Sequence, residues 1–144
     1  MTISTLGADD RAAFARIADV LLPAHKRLPA ASSVDVSGKL LDAVIAARPD
    51  IAEAVKRALA AVHGMEGRAA AEHLLKSDGE GFDAVGLAAS GAYFMSPAVR
   101  EKLGYPGQEA VRYDPYETPE YQSNGMLERV LSRGPIFRDA RRPR

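Results

Sequence analysis

Apolar residues recur at helical spacing along most of the chain. Over residues 8–22, Phe14, Ile17, Ala18, Leu21 and Leu22 share one helix face, and Asp9 and Asp10 stand near the positive end of the helix dipole. Pro23 stops that pattern. A polar stretch over 25–33 leads to a second helix over about 36–47, with Leu40, Leu41, Val44 and Ile45 on one side. Pro49 suits the first turn of a third helix, about 50–63, whose stripe is Ile51, Val55, Leu59 and Val62, with Glu53, Lys56 and Arg57 opposite. Gly64 suits a left-handed stop.

A fourth, shorter helix over about 67–76 turns Ala70, Ala71, Leu74 and Leu75 inward, and Ser77-Asp78-Gly79 breaks it. The fifth, about 80–95, carries Phe82, Val85, Ala89, Ala92 and Tyr93, and is the least polar of the set, which marks it as the central helix. Small residues at Gly86, Ala89, Ser90 and Gly91 imply close contact with a neighbouring backbone. Ser96-Pro97 restarts a short helix, Ser as N-cap and Pro as first residue, running over 98–103 until Gly104. The expected fold is therefore all-α, a small bundle of about five helices over 1–103, followed by a long extended C-terminal arm over 104–144.

That arm differs in kind from the bundle. Its 41 residues hold five of the nine Pro, four of the five Tyr and seven Arg, with one plausible helical piece at about 126–132. Disordered tails are poor in aromatics, whereas Tyr and Arg are concentrated at interfaces, so the arm is expected to lie along a partner. Its composition singles out Arg112, Tyr113, Tyr116 and Tyr121 as partner contacts.

Composition sharpens this picture. The chain has 144 residues and buries roughly two-thirds of its unfolded surface, as one ordinary domain does. Of its 47% hydrophobic residues, 26 are Ala, and there is no Trp, so the core is thin and suits packed helices over a β-sandwich. Lys and Arg number 19 against 19 Asp and Glu, which excludes bulk electrostatic attraction to nucleic acid or to an anionic membrane. No window approaches the run of about 20 apolar residues that spans a bilayer, so no direct membrane insertion is expected. The absence of Cys excludes a disulfide framework, thiolate metal sites, a Cys nucleophile and iron–sulfur clusters.

Candidate chemistry is sparse. His25, His63 and His73 are the whole imidazole inventory, and none stands in H-x-x-x-H or H-E-x-x-H spacing. His63 and His73 approach one another if helices three and four fold back at 64–67, which defines an alternative class, a self-sufficient helical protein binding a metal or ligand there. No Ser has G-x-S-x-G context, and Gly79-x-Gly81 follows a helix without a Lys-Ser/Thr pair, so no nucleotide or flavin site is expected in this chain. No catalytic residue, metal or cofactor is assigned to it. The terminal Arg133, Arg138, Arg141, Arg142 and Arg144 form a run that is more often solvated than phosphate-binding.

The most informative segment is 93–108. Tyr105-Pro106-Gly107 is a turn whose Pro fixes φ and whose Gly permits positive φ, displaying Tyr105 at a sharp exit from the bundle. An aromatic pair closing a helix, Tyr93-Phe94, then Ser96-Pro97-Ala98-Val99, then Leu103-Gly104-Tyr105-Pro106-Gly107, resembles the gluconate 2-dehydrogenase subunit 3 family, small subunits of sugar dehydrogenases. The first helix, an apolar run from Arg11 ending in Leu21-Leu22-Pro23, is similar to that family's opening, so the resemblance spans roughly 6–108.

The resemblance implies an all-helical, non-catalytic small subunit that stabilises and assembles with a large subunit of the glucose–methanol–choline oxidoreductase type. FAD and the catalytic residues are expected in that partner, which oxidises a sugar, glycoside or related alcohol. Tyr93, Phe94, Tyr105, Pro106 and Gly107 would then face it together with the arm. Many family members resemble carriers of a twin-arginine export signal. Residues 1–10 hold no basic residue, so a cytoplasmic location is expected, or a periplasmic one alongside a signal-bearing partner.

Overall fold

The computed structural model describes residues 6–108, 119–134 and 136, and over these the chain is all-α. It divides into two compact units, Met1–Gln108 and Glu109–Arg144. In the first, α1 (Ala8–Leu21), α2 (Lys39–Ala47), α3 (Ala52–Ala61), α4 (Gly67–Ser77) and α5 (Gly79–Met95) build the bundle, and α6 (Pro97–Leu103) follows. No helix among the described residues is long and apolar enough to cross a membrane.

The helix ends are set by short polar contacts. The Asp10 carboxylate accepts the Gly7 N–H at 2.9 Å and so begins α1. Between α1 and α2 the chain makes a tight turn at His25 and Leu28, whose backbones bond each other, and a 3-10 turn over Ala31–Val34. Asp35 then takes a left-handed φ of 53° and its carbonyl accepts the Gly38 N–H, which is why α2 starts at Lys39 and not near 36. Val36 still packs in the core, held by the turn.

Pro49 opens a 3-10 turn that leads into α3, and α3 ends at Ala61, before the expected 63. Gly64 has the left-handed φ of 76° but lies in the loop beyond. α4 is capped by Glu66, whose carboxylate accepts the N–H groups of Arg68 and Ala69, both at 3.1 Å. α5 is capped by Asp78, which accepts the Gly81 N–H at 3.0 Å and also receives two bonds from Arg57 of α3. Arg57 reaches Glu80 as well, at 3.0 Å, so one guanidinium ties α3 to the start of α5. It holds the Asp78 carboxyl below its ordinary value, with the Gly81 bond adding to the effect.

The core is as thin as its composition implies. Its largest fully buried side chains are Phe14, Ile17, Leu41, Leu59 and Leu74, and the rest is mostly Val and Ala. α5 lies at the centre, packed against α1, α2, α3, α4 and α6. The close approaches expected of small residues occur, but mainly at other positions. A methyl on Gly81 would lie 2.8 Å from the Ala58 Cβ of α3, one on Gly67 would meet the Arg16 carbonyl of α1, and one on Gly91 would meet Val44 of α2. Gly86 has open space around it.

In the second unit, single helical turns form at Glu120–Ser123 and Glu128–Leu131. The latter falls within the expected piece at 126–132. The former starts behind Pro119, whose carbonyl accepts the Gln122 N–H at 2.8 Å.

These glycines give a paired test. Gly81→Ala should cost about 1–3 kcal/mol, because the added methyl has no room against the capping Asp78 carboxylate or Ala58, while Gly86→Ala should gain about 0.5–1 kcal/mol through its lower unfolded-state entropy. Urea unfolding of both variants checks the contrast, and equal effects would refute the packing described here.

Candidate functional site

The end of α5 and the whole of α6 form a corner built by backbone geometry. Ser96 and Pro97 reverse the chain; Ser96 occupies the N-cap position with extended φ and ψ, yet its side chain makes no capping bond and is buried. Val99 is the residue of α6 that anchors it to the core. Gly104 then ends α6 in the left-handed conformation, φ 66° and ψ 27°. The Gly104 N–H donates to the Glu101 carbonyl at 3.0 Å and the Tyr105 N–H to the Arg100 carbonyl at 2.9 Å, the paired bonds of a Schellman stop.

That stop dictates which side chains meet. In such motifs the residue after the glycine packs back on the last turn of the helix, and here Tyr105 returns to Arg100, whose guanidinium carbon lies 5.9 Å from the ring centroid. Gly107, at φ 101°, lets the chain pass close to the same guanidinium; a methyl there would sit 3.1 Å from its Nη2. Arg100, Tyr105 and Gly107 are thus one unit.

Large apolar side chains at the ends of α5 and α6 are left uncovered. Phe94 is 52% exposed, Met95 43%, Leu103 48% and Tyr105 53%. Single exposed apolar residues are ordinary, but these four large ones cluster in sequence at the ends of α5 and α6.

The aromatic pair is split. Phe94 faces outward, while Tyr93 is 3% exposed, donates its hydroxyl to the Pro29 carbonyl at 2.7 Å and belongs to the interior. Successive residues on a helix point about 100° apart, so both cannot share a face, and of the two only Phe94 is open to solvent. The rings touch edge to face at 5.5 Å, so Tyr93 instead fixes the orientation of Phe94. Burial pushes the Tyr93 phenol above its ordinary range.

Pro106 is exposed beside Tyr105, and Tyr121 is exposed in the second unit. Arg112, Tyr113 and Tyr116 lie outside the described residues. Met95, Leu103 and Arg100 were not singled out from sequence. Leu103 is the last helical residue before a glycine stop, and Arg100 stands five before Tyr105, the spacing at which a Schellman stop brings two side chains together.

The histidines are placed apart in role. His25 and His73 are exposed, the first in its turn and the second on α4. The His63 Nε2 lies 2.7 Å from the Asp10 Oδ1, joining the end of α3 to the start of α1. Burial opposes the charge on Asp10, but the Gly7 N–H, the His63 ring and the nearby Lys56 charge outweigh it and hold the carboxyl below its ordinary value of 3.8. No group of three His, Cys, Asp or Glu among the described residues is arranged to hold a metal ion. A shallow depression over Ile51, Ala54, Ala84 and Leu87 has an acidic rim, two of whose carboxylates, Asp50 and Glu80, already pair with Arg48 and Arg57.

No protein-family model, curated protein or solved structure matches the chain.

The Asp10 contact carries a pH dependence of defined sign. With its folded pKa depressed, the stability Asp10 contributes is complete above its unfolded value of 3.8 and is lost as pH falls through the lower folded value. Asp10→Asn should cost about 1–2 kcal/mol at neutral pH and flatten the acid limb of the stability curve, checked by urea unfolding across pH. An unchanged acid limb would show that Asp10 is not the group responsible.

Proposed function

We propose that this chain is the non-catalytic small subunit of a large FAD-dependent oxidoreductase that oxidises a sugar, glycoside or related alcohol. One observation carries the proposal: the segment that resembles the gluconate 2-dehydrogenase subunit 3 family, 93–108, is also the corner where Phe94, Met95, Leu103 and Tyr105 stand exposed. An all-helical bundle agrees with what that resemblance implies. In this role the corner docks on the large subunit, the bundle supplies a rigid base, and the flavin and the reacting groups belong to the partner. Burying such side chains at a desolvated contact is the usual source of interface energy, with aromatic residues foremost.

A second reading is favoured by the Asp10–His63 pair, in which a buried carboxylate orients a half-exposed imidazole. It makes the chain a self-sufficient metal- or ligand-binding protein, and it requires stoichiometric metal or ligand on the isolated chain.

Affinity purification of the tagged chain from its native cells separates the two. The subunit role predicts a much larger polypeptide with a flavin absorption spectrum, and a dissociation constant for the purified pair that rises at least about tenfold in Leu103→Asp and Tyr105→Ala and stays unchanged in His73→Ala. A colourless, solitary chain carrying bound metal would overturn it in favour of the histidine site.

A further inference from the structure

We infer that Arg100 is the charged anchor of the corner and that it receives a carboxylate from the surface of the partner, an inference that rests on the subunit role proposed above. Four arginines of the bundle give their guanidinium to an oxygen, while Arg27 and Arg68 are exposed with no such bond among the described residues. Arg11 bonds the Ser37 carbonyl and Asp42, Arg16 the Met65 carbonyl, Arg48 Asp50, and Arg57 both Asp78 and Glu80. Arg100 does not. Its Nε is buried without a hydrogen-bond partner and closed to an incoming group, so a carboxylate would meet its two Nη groups; no carboxylate of the described residues forms an ion pair with it. Glu101 and Lys102 follow it on α6, but adjacent helical residues do not face each other.

A guanidinium held in this way is arranged for an incoming group. It is always charged and its planar fork matches a carboxylate through two parallel bonds, whereas a lone carbonyl satisfies only part of it. Its position is narrowed by the Tyr105 ring and by the close passage of Gly107, where an added methyl would lie 3.1 Å from Nη2, so less ordering entropy remains to be lost on binding. The Tyr105 ring lies against it, and Leu103, exposed one helical turn further along α6, adds apolar surface that, once covered, excludes water and strengthens the pair. The complementary site on the large subunit is therefore an Asp or Glu set in an apolar patch.

The test uses the purified complex and reads both affinity and its salt dependence. Arg100→Gln should raise the dissociation constant at least about tenfold and remove roughly one charge's worth of its dependence on salt concentration. Arg100→Lys, which keeps the charge but loses the fork, should fall between the two and retain the wild-type salt dependence. Circular dichroism of each free variant establishes that α6 and the bundle are intact, and the lysine variant serves if the glutamine variant fails to fold. Wild-type affinity and salt dependence in Arg100→Gln would overturn the anchor while leaving the subunit role standing. Weakened binding with unchanged salt dependence would also overturn it, reducing Arg100 to a brace for Tyr105. A wild-type chain that recovers no flavoprotein would overturn both.

Discussion

Everything in this bundle depends on how closely α5 approaches its neighbours. A core with so many alanines and so few large side chains cannot fill wide gaps between helices, so the backbones must come together. Gly81 against Ala58 and Gly91 against Val44 set the separation of α5 from α3 and α2, and Gly67 against the Arg16 carbonyl sets α4 on α1. At Gly67 and Gly81 a single methyl has no room unless something shifts, and at Gly91 it would press on a Val44 methyl at 3.1 Å. The fold is held less by large apolar anchors than by the absence of side chain at a few crossing points.

That constraint explains where the charges went. Helices brought this close leave no room between them for long polar side chains, so the ion pairs sit at helix ends and bridge elements there. Arg57 clasps Asp78 and Glu80 across the α3 and α5 ends, Arg11 fastens the loop before α2 to α1, and Asp10 joins His63 to the α1 start. Most are exposed and individually weak, and their effect is to fix register at the turns and not to supply the bulk of stability. Asp78 and Asp10 do double service, since Asp78 also satisfies the Gly81 N–H in the first turn of α5 and Asp10 the Gly7 N–H just before α1.

The helices were legible in the chain because their signal is periodic, and residues such as Ile17, Val55, Leu59 and Val85 fall where the period places them. The central position of α5 was legible too, from its lack of a polar face. What the pattern missed is tertiary. Nothing local distinguishes Gly81, which meets Ala58, from Gly86, which meets nothing, and nothing local announces that Asp35 turns left-handed and delays α2. The corner was half legible: Gly104 as a stop and Tyr105 as a displayed ring follow from turn chemistry, but the assignment of Tyr93 to the interior needed the facing carbonyl of Pro29, far away in sequence. Arg100 escaped notice because a charge run on a short helix ordinarily reads as a solvated face.

The corner and the bundle are linked by the same economy of side chain. Val99 is the one residue of α6 buried in the core, so α6 stands mainly on that contact, on its continuity with α5 and on its capping bonds. A short helix so lightly attached is marginal alone, since nucleation is costly and few residues share the return. It gains most from a surface that covers Leu103 and Tyr105, because that contact would supply the packing which the thin core withholds. The Schellman stop keeps the corner ordered enough to be recognised without that cover: two backbone bonds and the Arg100–Tyr105 contact hold the turn, while the apolar side chains stay free. The corner is thus fixed by its backbone and left open by its side chains, whereas His63 is already engaged by the Asp10 carboxylate that orients it.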